Sequence, residues 1–322
     1  MVNPVGPTHV PVMRARIVEL LAPALQHPGA VYVDCTLGLG GHAAAVLSTC
    51  PHSRLVGIDR DPAALAVARR NLAGFGDRVR LYQAIYHELS EVLEEDETPA
   101  VDAICMDLGL SSLQIDTTER GFAYASDAPL DMRMDAEAGP TAADLVNSCG
   151  VSELTRILRE YGEERFADRI ARRIVAARAE ARIETSAQLV ALITDAIPMA
   201  ARKERSGHPA KRSFQALRIA VNGELDSLAD ALPAALAALA PGGRLAVLAY
   251  HSGEDRLVKR SFADASADRV PPGLPDVPVA LRARFGLLTR GAERPAEAEI
   301  AENPRAASAR LRAVVRNQEV AA

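Results

Sequence analysis

The chain has few features that would remove it from a reducing, aqueous compartment. Its four cysteines, Cys35, Cys50, Cys105 and Cys149, form no C-x-x-C pair. That argues against a zinc site and against a disulfide framework, and it fits the cytoplasm. No apolar run reaches the roughly 20 residues of a membrane span; the best candidate, Leu228–Ala240, is too short and contains Pro233. The first residues, MVNPVGPTHVPVM, lack the basic-then-apolar order of a secretory signal, and there is no internal repeat. Nor is there an excess of positive charge, since the net charge is −5. Followed along the chain, however, that charge is uneven. Residues Val151–Arg212 carry 13 Lys or Arg against 9 Asp or Glu, a local net of +4. The positive charge is densest over Arg202–Arg212, where Gly207 and Pro209 mark a loop or helix junction. By default such a run only solvates a surface. It becomes a phosphate-binding surface if a cofactor site lies beside it.

What the sequence does contain is an alternation of strand and helix signals. With 322 residues and 48% hydrophobic content it can bury a substantial core. Short apolar runs predict strands at Val31–Asp34, Leu55–Ile58, Val79–Gln83, Val101–Asp107 and Arg244–Tyr250, with a last strand in the tail at Ala309–Arg316. Helical spacing covers His42–Leu47, Pro62–Leu72 and Phe214–Ala238, and Val270–Pro278 reads as a surface loop. The expected fold is a doubly wound α/β sheet interrupted after its fourth strand by a mainly helical segment, about Ser111 to Pro209. Within that segment Phe166, Ile170 and Ile174 recur at helical spacing, with Arg165, Arg169, Arg172 and Arg173 around them.

The first strand runs into Thr36-Leu37-Gly38-Leu39-Gly40-Gly41-His42, and the second ends at Asp59, 18 residues after Gly41. A glycine turn opening a helix lets backbone approach a nucleotide-like ligand, and an acidic residue about 20 positions on accepts from ribose hydroxyls. The spacing is G-x-G-G rather than the dinucleotide G-x-G-x-x-G. Asp34 ahead of it would repel a pyrophosphate but could accept from an ammonium, which favours S-adenosylmethionine over NAD. A plain strand-to-helix turn is the bland alternative. The fourth strand ends at Asp107, on the same crevice side as Gly40 and Asp59 in a parallel sheet. It is a candidate to orient the cofactor or an acceptor amine, against a capping role. His251, after the fifth strand, reads as structural more readily than as a base.

With these residues in view, the chain resembles the MraW-type family of 16S ribosomal RNA cytosine-N4 methyltransferases. The shared landmarks include His9-Val10-Pro11-Val12, Thr36-x-Gly38-x-Gly40-Gly41-His42, Asp59-Arg60-Asp61-Pro62, Asp107-Leu108-Gly109-x-Ser111-Ser112-x-Gln114, Pro129-Leu130-Asp131-Met132-Arg133-Met134-Asp135, Phe214-Gln215-Ala216-Leu217-Arg218-Ile219 and His251-Ser252-x-Glu254-Asp255-Arg256. They occur in order from near one end of the chain to near the other. The resemblance implies a Rossmann-like class I methyltransferase sheet, residues 1–110 and 210–322, with an inserted helical RNA-recognition domain at 111–209. It also implies S-adenosylmethionine as cofactor, held by Gly40, Gly41, His42, Asp59, Tyr86, Asp107 and Gln114, with no metal. Tyr86 stands where Phe is usual and keeps an aromatic wall for the adenine. The implied partner is 16S rRNA in the small ribosomal subunit, with neither membrane nor DNA expected. Asp107 is the first catalytic candidate and Asp131, beside Arg133, the reserve. Lys203, Arg205, Lys211 and Arg212, with Arg169 and Arg173, are the expected phosphate contacts. Gly253 stands where Leu is usual, which should loosen the turn at His251 and Glu254. An amino-methyltransferase of DNA would end the fourth strand in (D/N/S)-P-P-(Y/F/W), whereas this chain has Asp107-Leu108-Gly109-Leu110. A noncatalytic RNA-binding factor with the same fold is the other alternative.

Overall fold

The computed structural model describes residues 11–111, 113, 114, 117–204, 207–268, 278 and 281–318. Arg205, His9, Val10, Ser112 and most of the Val270–Pro278 stretch lie outside the described residues. The chain forms two compact units, Met1–Gly109 with Asp226–Ala322, and Leu110–Leu225.

The first unit is built on a seven-stranded sheet: β1 (Val31–Asp34), β2 (Arg54–Asp59), β3 (Val79–Gln83), β4 (Val101–Asp107), β5 (Leu239–Ala249), β6 (Phe285–Leu287) and β7 (Arg310–Arg316). Their order is β3-β2-β1-β4-β5-β7-β6. The first five strands run parallel, while β7 is antiparallel to both β5 and β6. This is the class I methyltransferase sheet. The inner strands β1, β2 and β4 are apolar on both sides because both faces are covered. Tyr32 and Leu55 join one core with Ile17, Leu47 and Leu65, while Val33, Val56 and Ile104 join the other with Leu89, Leu232 and Phe262. The chain order reverses at β1, which has β2 on one side and β4 on the other, so the crevice beyond its end is where a doubly wound sheet takes its ligand.

Local chemistry sets where the helices begin. Asp61 accepts from the Ala63 amide at 3.0 Å, Pro62 occupies the first turn, and Arg69 and Arg70 close the Pro62–Asn71 helix at its negative end. The predicted single helix over Phe214–Ala238 is two helices, Lys211–Asn222 and Glu224–Ala238. Apolar spacing continues across the junction, but Gly223 takes φ 60° and ends the first helix in the left-handed conformation that glycine favours. The strand predicted at Arg244–Tyr250 begins five residues earlier, at Leu239, and β6 carries too short an apolar signal to be read from sequence.

The second unit has its own core, in which Leu154, Ile157, Ile170, Ile174, Leu189 and Ile193 from three helices meet Phe214 and Leu217. The Lys211–Asn222 helix therefore packs within the second unit, which continues to Leu225 rather than ending at the expected 209. The helices Ala142–Ser148 and Ser186–Ala196 each open on a capping box, Thr141 with Asp144 and Thr185 with Gln188.

Candidate cofactor and methyl-transfer site

At the C-terminal ends of β1, β2 and β4 the first unit gathers polar groups out of its apolar strands. The turn after β1 is drawn against β2: the Leu37 amide donates to the Ile58 carbonyl at 2.9 Å and the Gly40 amide to the Leu37 carbonyl at 2.8 Å. Gly40 caps the Gly41–Thr49 helix with φ 81°, a conformation that places a Cβ 3.0 Å from the Leu72 side chain. Asp59, at the end of β2, accepts from the Gly38 amide at 2.6 Å and the Asp61 amide at 2.9 Å. It is thus fastened to the glycine turn. Burial raises its pKa to about 6, against the pull of those two amides.

His42, in the first turn of the Gly41–Thr49 helix, is 6% exposed. Its Nε2 stands 3.3 Å from Asp107 Oδ2, at the end of β4. That contact has the distance of an ion pair but not the geometry of a hydrogen bond, so neither ring nitrogen has a hydrogen-bond partner. Burial resists protonation of the ring, and contact with Asp107 together with the charges of Asp107 and Asp34 outweighs it, so the pKa of His42 is raised. Two groups that sequence reasoning missed hold Asp107 itself. Its amide donates to Thr36 Oγ1 at 2.6 Å, and the Tyr250 hydroxyl donates to its Oδ1 at 2.7 Å. The Asp107 side chain remains 25% exposed, enough to accept a further donor.

Asp34 does not serve as an exposed acceptor for an ammonium. It is 2% exposed, takes the Tyr32 hydroxyl at 3.0 Å and the Thr36 amide at 3.3 Å, and burial raises its pKa to about 6. It shapes the turn from beneath. Tyr86 follows β3 and packs, half-buried, against the core on one side of the sheet. Gln114 belongs to the second unit, where it is buried and closes a local turn, its Oε1 accepting from the Ser111 amide at 3.0 Å.

His251 is a helix cap. Its Nδ1 accepts from the Gly253 and Glu254 amides at 3.2 and 3.4 Å, and Glu254 Oε2 accepts in return from the Tyr250 and His251 amides. Gly253 lies in the first turn of the Ser252–Ala265 helix and supplies one of the capped amides.

In the second unit the Asp131 carboxylate is occupied by Arg133, through Nε at 2.9 Å and Nη2 at 2.8 Å. Burial would raise the pKa of Asp131, and the Arg133 guanidinium more than offsets this and holds it below the usual range. This is the ion pair of a stiffened loop, which weakens the reserve catalytic assignment. Asn222 supports the same loop, accepting from the Met134 amide and donating to the Met132 carbonyl, each at 2.8 Å. Among the basic candidates, Lys203, Lys211 and Arg169 are exposed, Arg212 donates to the Glu163 carbonyl at 3.1 Å, and Arg173 pairs with Asp195 at 3.0 Å.

The MraW methylase family model matches residues 7–317. The chain belongs to that family. Among MraW methylase relatives, the ribosomal RNA small subunit methyltransferase H of Parafrankia sp. (strain EAN1pec) is 57% identical over 309 residues, covering 96% of this chain and 94% of that protein. The protein of the same description from Frankia casuarinae is 60% identical over 302 residues, covering 94% of each chain. Among solved structures, an rRNA methylase from Streptococcus thermophilus aligns over 94% of both chains with 12% identity and a TM-score of 0.43. As an MraW methylase the chain is an enzyme of the S-adenosylmethionine-dependent class. No helix among its described residues is long and apolar enough to cross a membrane.

Proposed function

We infer that this enzyme transfers a methyl group from S-adenosylmethionine to the exocyclic N4 amine of a cytidine in the decoding centre of 16S rRNA, in the cytoplasm. The observation that carries the reading is the meeting of His42, Asp59 and Asp107 at the ends of β1, β2 and β4, within a chain of the MraW methylase family. The residues fit the cofactor. A buried imidazole whose ring nitrogens have no hydrogen-bond partner suits the carboxylate of the methionine end. The partly exposed Asp107 suits the ammonium, Asp59 the ribose hydroxyls, and Tyr86 the adenine face. When bound, S-adenosylmethionine supplies a methyl group already activated by its sulfonium.

The remaining difficulty lies in the acceptor. A cytosine amine is a weak nucleophile because its lone pair is delocalised into the ring. The protein's task is therefore to hold the amine in line and to accept one of its N–H groups, which returns electron density to nitrogen. Asp107, if it does not take the ammonium, or a neighbouring carbonyl is the candidate for this. Tyr250 and Thr36 fix the position of Asp107, so that little reorganisation remains for the reaction. The target base must leave its stack to be reached.

Incubation with radiolabelled S-adenosylmethionine and free rRNA, assembled small subunits or duplex DNA tests the reading. Label is expected in small-subunit RNA, recovered as N4-methylcytidine after digestion to nucleosides. Label in DNA alone, or in no nucleic acid, would overturn it.

A further inference from the structure

The second unit holds a cleft of about 440 Å³ that the methyl-transfer chemistry does not use. Tyr124, Asp127, Val190, Ala191, Asp195 and Arg202 are among the residues that line it. Its size falls in the range of about 300–1,000 Å³ typical of small-ligand sites. We propose that this cleft is a stacking site for one unpaired RNA base, with Tyr124 as its platform. The proposal rests on the reading that RNA is the substrate and adds a second contact point to it.

The Tyr124 ring is already fixed. It stacks on His208 with centroids 4.7 Å apart and planes 19° from parallel, and it meets Phe214 edge-on at 6.0 Å. Tyr124 lines the cleft and His208 does not, so the aromatic stack behind the tyrosine lies outside the lining. A ring held from two directions loses little freedom when a base stacks on it. Val190 and Ala191, from the Ser186–Ala196 helix, supply an apolar wall.

Charge sorts the two halves of a nucleotide. The acids point to a base inside the cleft: Asp127 accepts from the Ala187 amide at 3.1 Å and Asp195 is paired with Arg173 at 3.0 Å, so each is a fixed acceptor for the N–H groups of a base edge. Those carboxylates would repel a phosphate. One cation, Arg202, belongs to the lining and donates its Nε to the Ile197 carbonyl at 2.7 Å, and the exposed Lys203 follows it in sequence. Base in and backbone out is the arrangement of a single-strand reader.

Anisotropy of a fluorescent single-stranded RNA oligonucleotide, titrated with the full chain at several salt concentrations, tests this. Tyr124→Ala should weaken binding about tenfold, within the range measured for removal of one base stack. Tyr124→Phe should bind as the wild type does, and the salt dependence should be the same for all three, because every phosphate-facing cation is kept. Tyr124→Ala leaves a gap beside Phe214, so Ala191→Gln is the second probe: it fills the cleft from an exposed helical position and should weaken binding similarly. Wild-type affinity in both cleft variants would overturn the proposal. Equal losses in the Ala and Phe variants would also overturn it, since they would implicate the hydroxyl rather than the ring. If the cleft variants are silent while Lys203→Ala/Lys211→Ala/Arg212→Ala binds weakly, the cleft fails and the RNA reading survives. Absence of RNA binding and of RNA methylation in the wild type removes both.

Discussion

At the scale of single residues the site concentrates buried acids around one imidazole, and this makes it sensitive to pH. Asp59 is raised to about 6 by burial. A raised carboxyl favours its protonated form in the folded chain, so the stability it contributes is present at low pH and lost as pH rises through about 6. Binding has the opposite sign, because a ribose hydroxyl needs the ionised acceptor. Between pH 7.5 and 5 the affinity for S-adenosylhomocysteine, measured by calorimetry, should therefore fall about tenfold through this group. Asp59→Asn should bind weakly at pH 7.5 and lose that part of the dependence, while Asp34 and His42 leave a remainder. Asp107→Ala should abolish methyl transfer; retained turnover with unchanged cofactor affinity would remove it from the mechanism. Asp59 and Asp107 were legible in the sequence because each ends an apolar run. His42 was expected at the same site, but the approach of Thr36, His42 and Tyr250 to Asp107 was not legible, since nothing in local spacing announces a contact between residues separated by up to 143 positions.

At the scale of elements, the loop from Gly121 to Asp135 is held in a conformation the backbone alone would not choose. Gly121 has φ 71°, and a Cβ there would lie 2.2 Å from the Pro129 carbonyl oxygen, a backbone atom that cannot turn aside. Gly121→Ala should cost about 2 kcal/mol or more in chemical denaturation. Asn222→Leu removes the side-chain hydrogen bonds to the Met134 amide and the Met132 carbonyl and should cost about 2–3 kcal/mol by the same measurement. The parallel strands were readable because runs of Val, Ile and Leu, buried on both faces, leave an uninterrupted apolar signal. The break at Gly223 and the three-residue β6 were not, since helical periodicity passes through the first and the second is too short to have a period.

At the scale of the whole molecule, charge is uneven along the chain, and the stretch Val151–Arg212, with its net of +4, lies within the second unit. The variant Lys203→Ala/Lys211→Ala/Arg212→Ala should weaken RNA binding for every sequence tried. It should also flatten the plot of log affinity against log salt by up to about 2, at roughly 0.7 for each single-strand phosphate that is no longer neutralised. Arg173→Ala should change that slope less, because Asp195 already neutralises part of its charge. The presence of an insertion was legible from the interrupted strand alternation. Its far boundary was not, since only packing shows that Phe214 and Leu217 serve the helical core.

The interruption also bears on how the protein is made. β5 is the neighbour of β4, yet the ribosome delivers it only after the whole of Leu110–Leu225 has emerged. The nascent first half must therefore wait with the open edge of β4 exposed, while the contiguous helical unit, rich in local interactions, is free to form first. An enzyme inferred to modify the ribosome thus depends, for closure of its own sheet, on the last third of its translation.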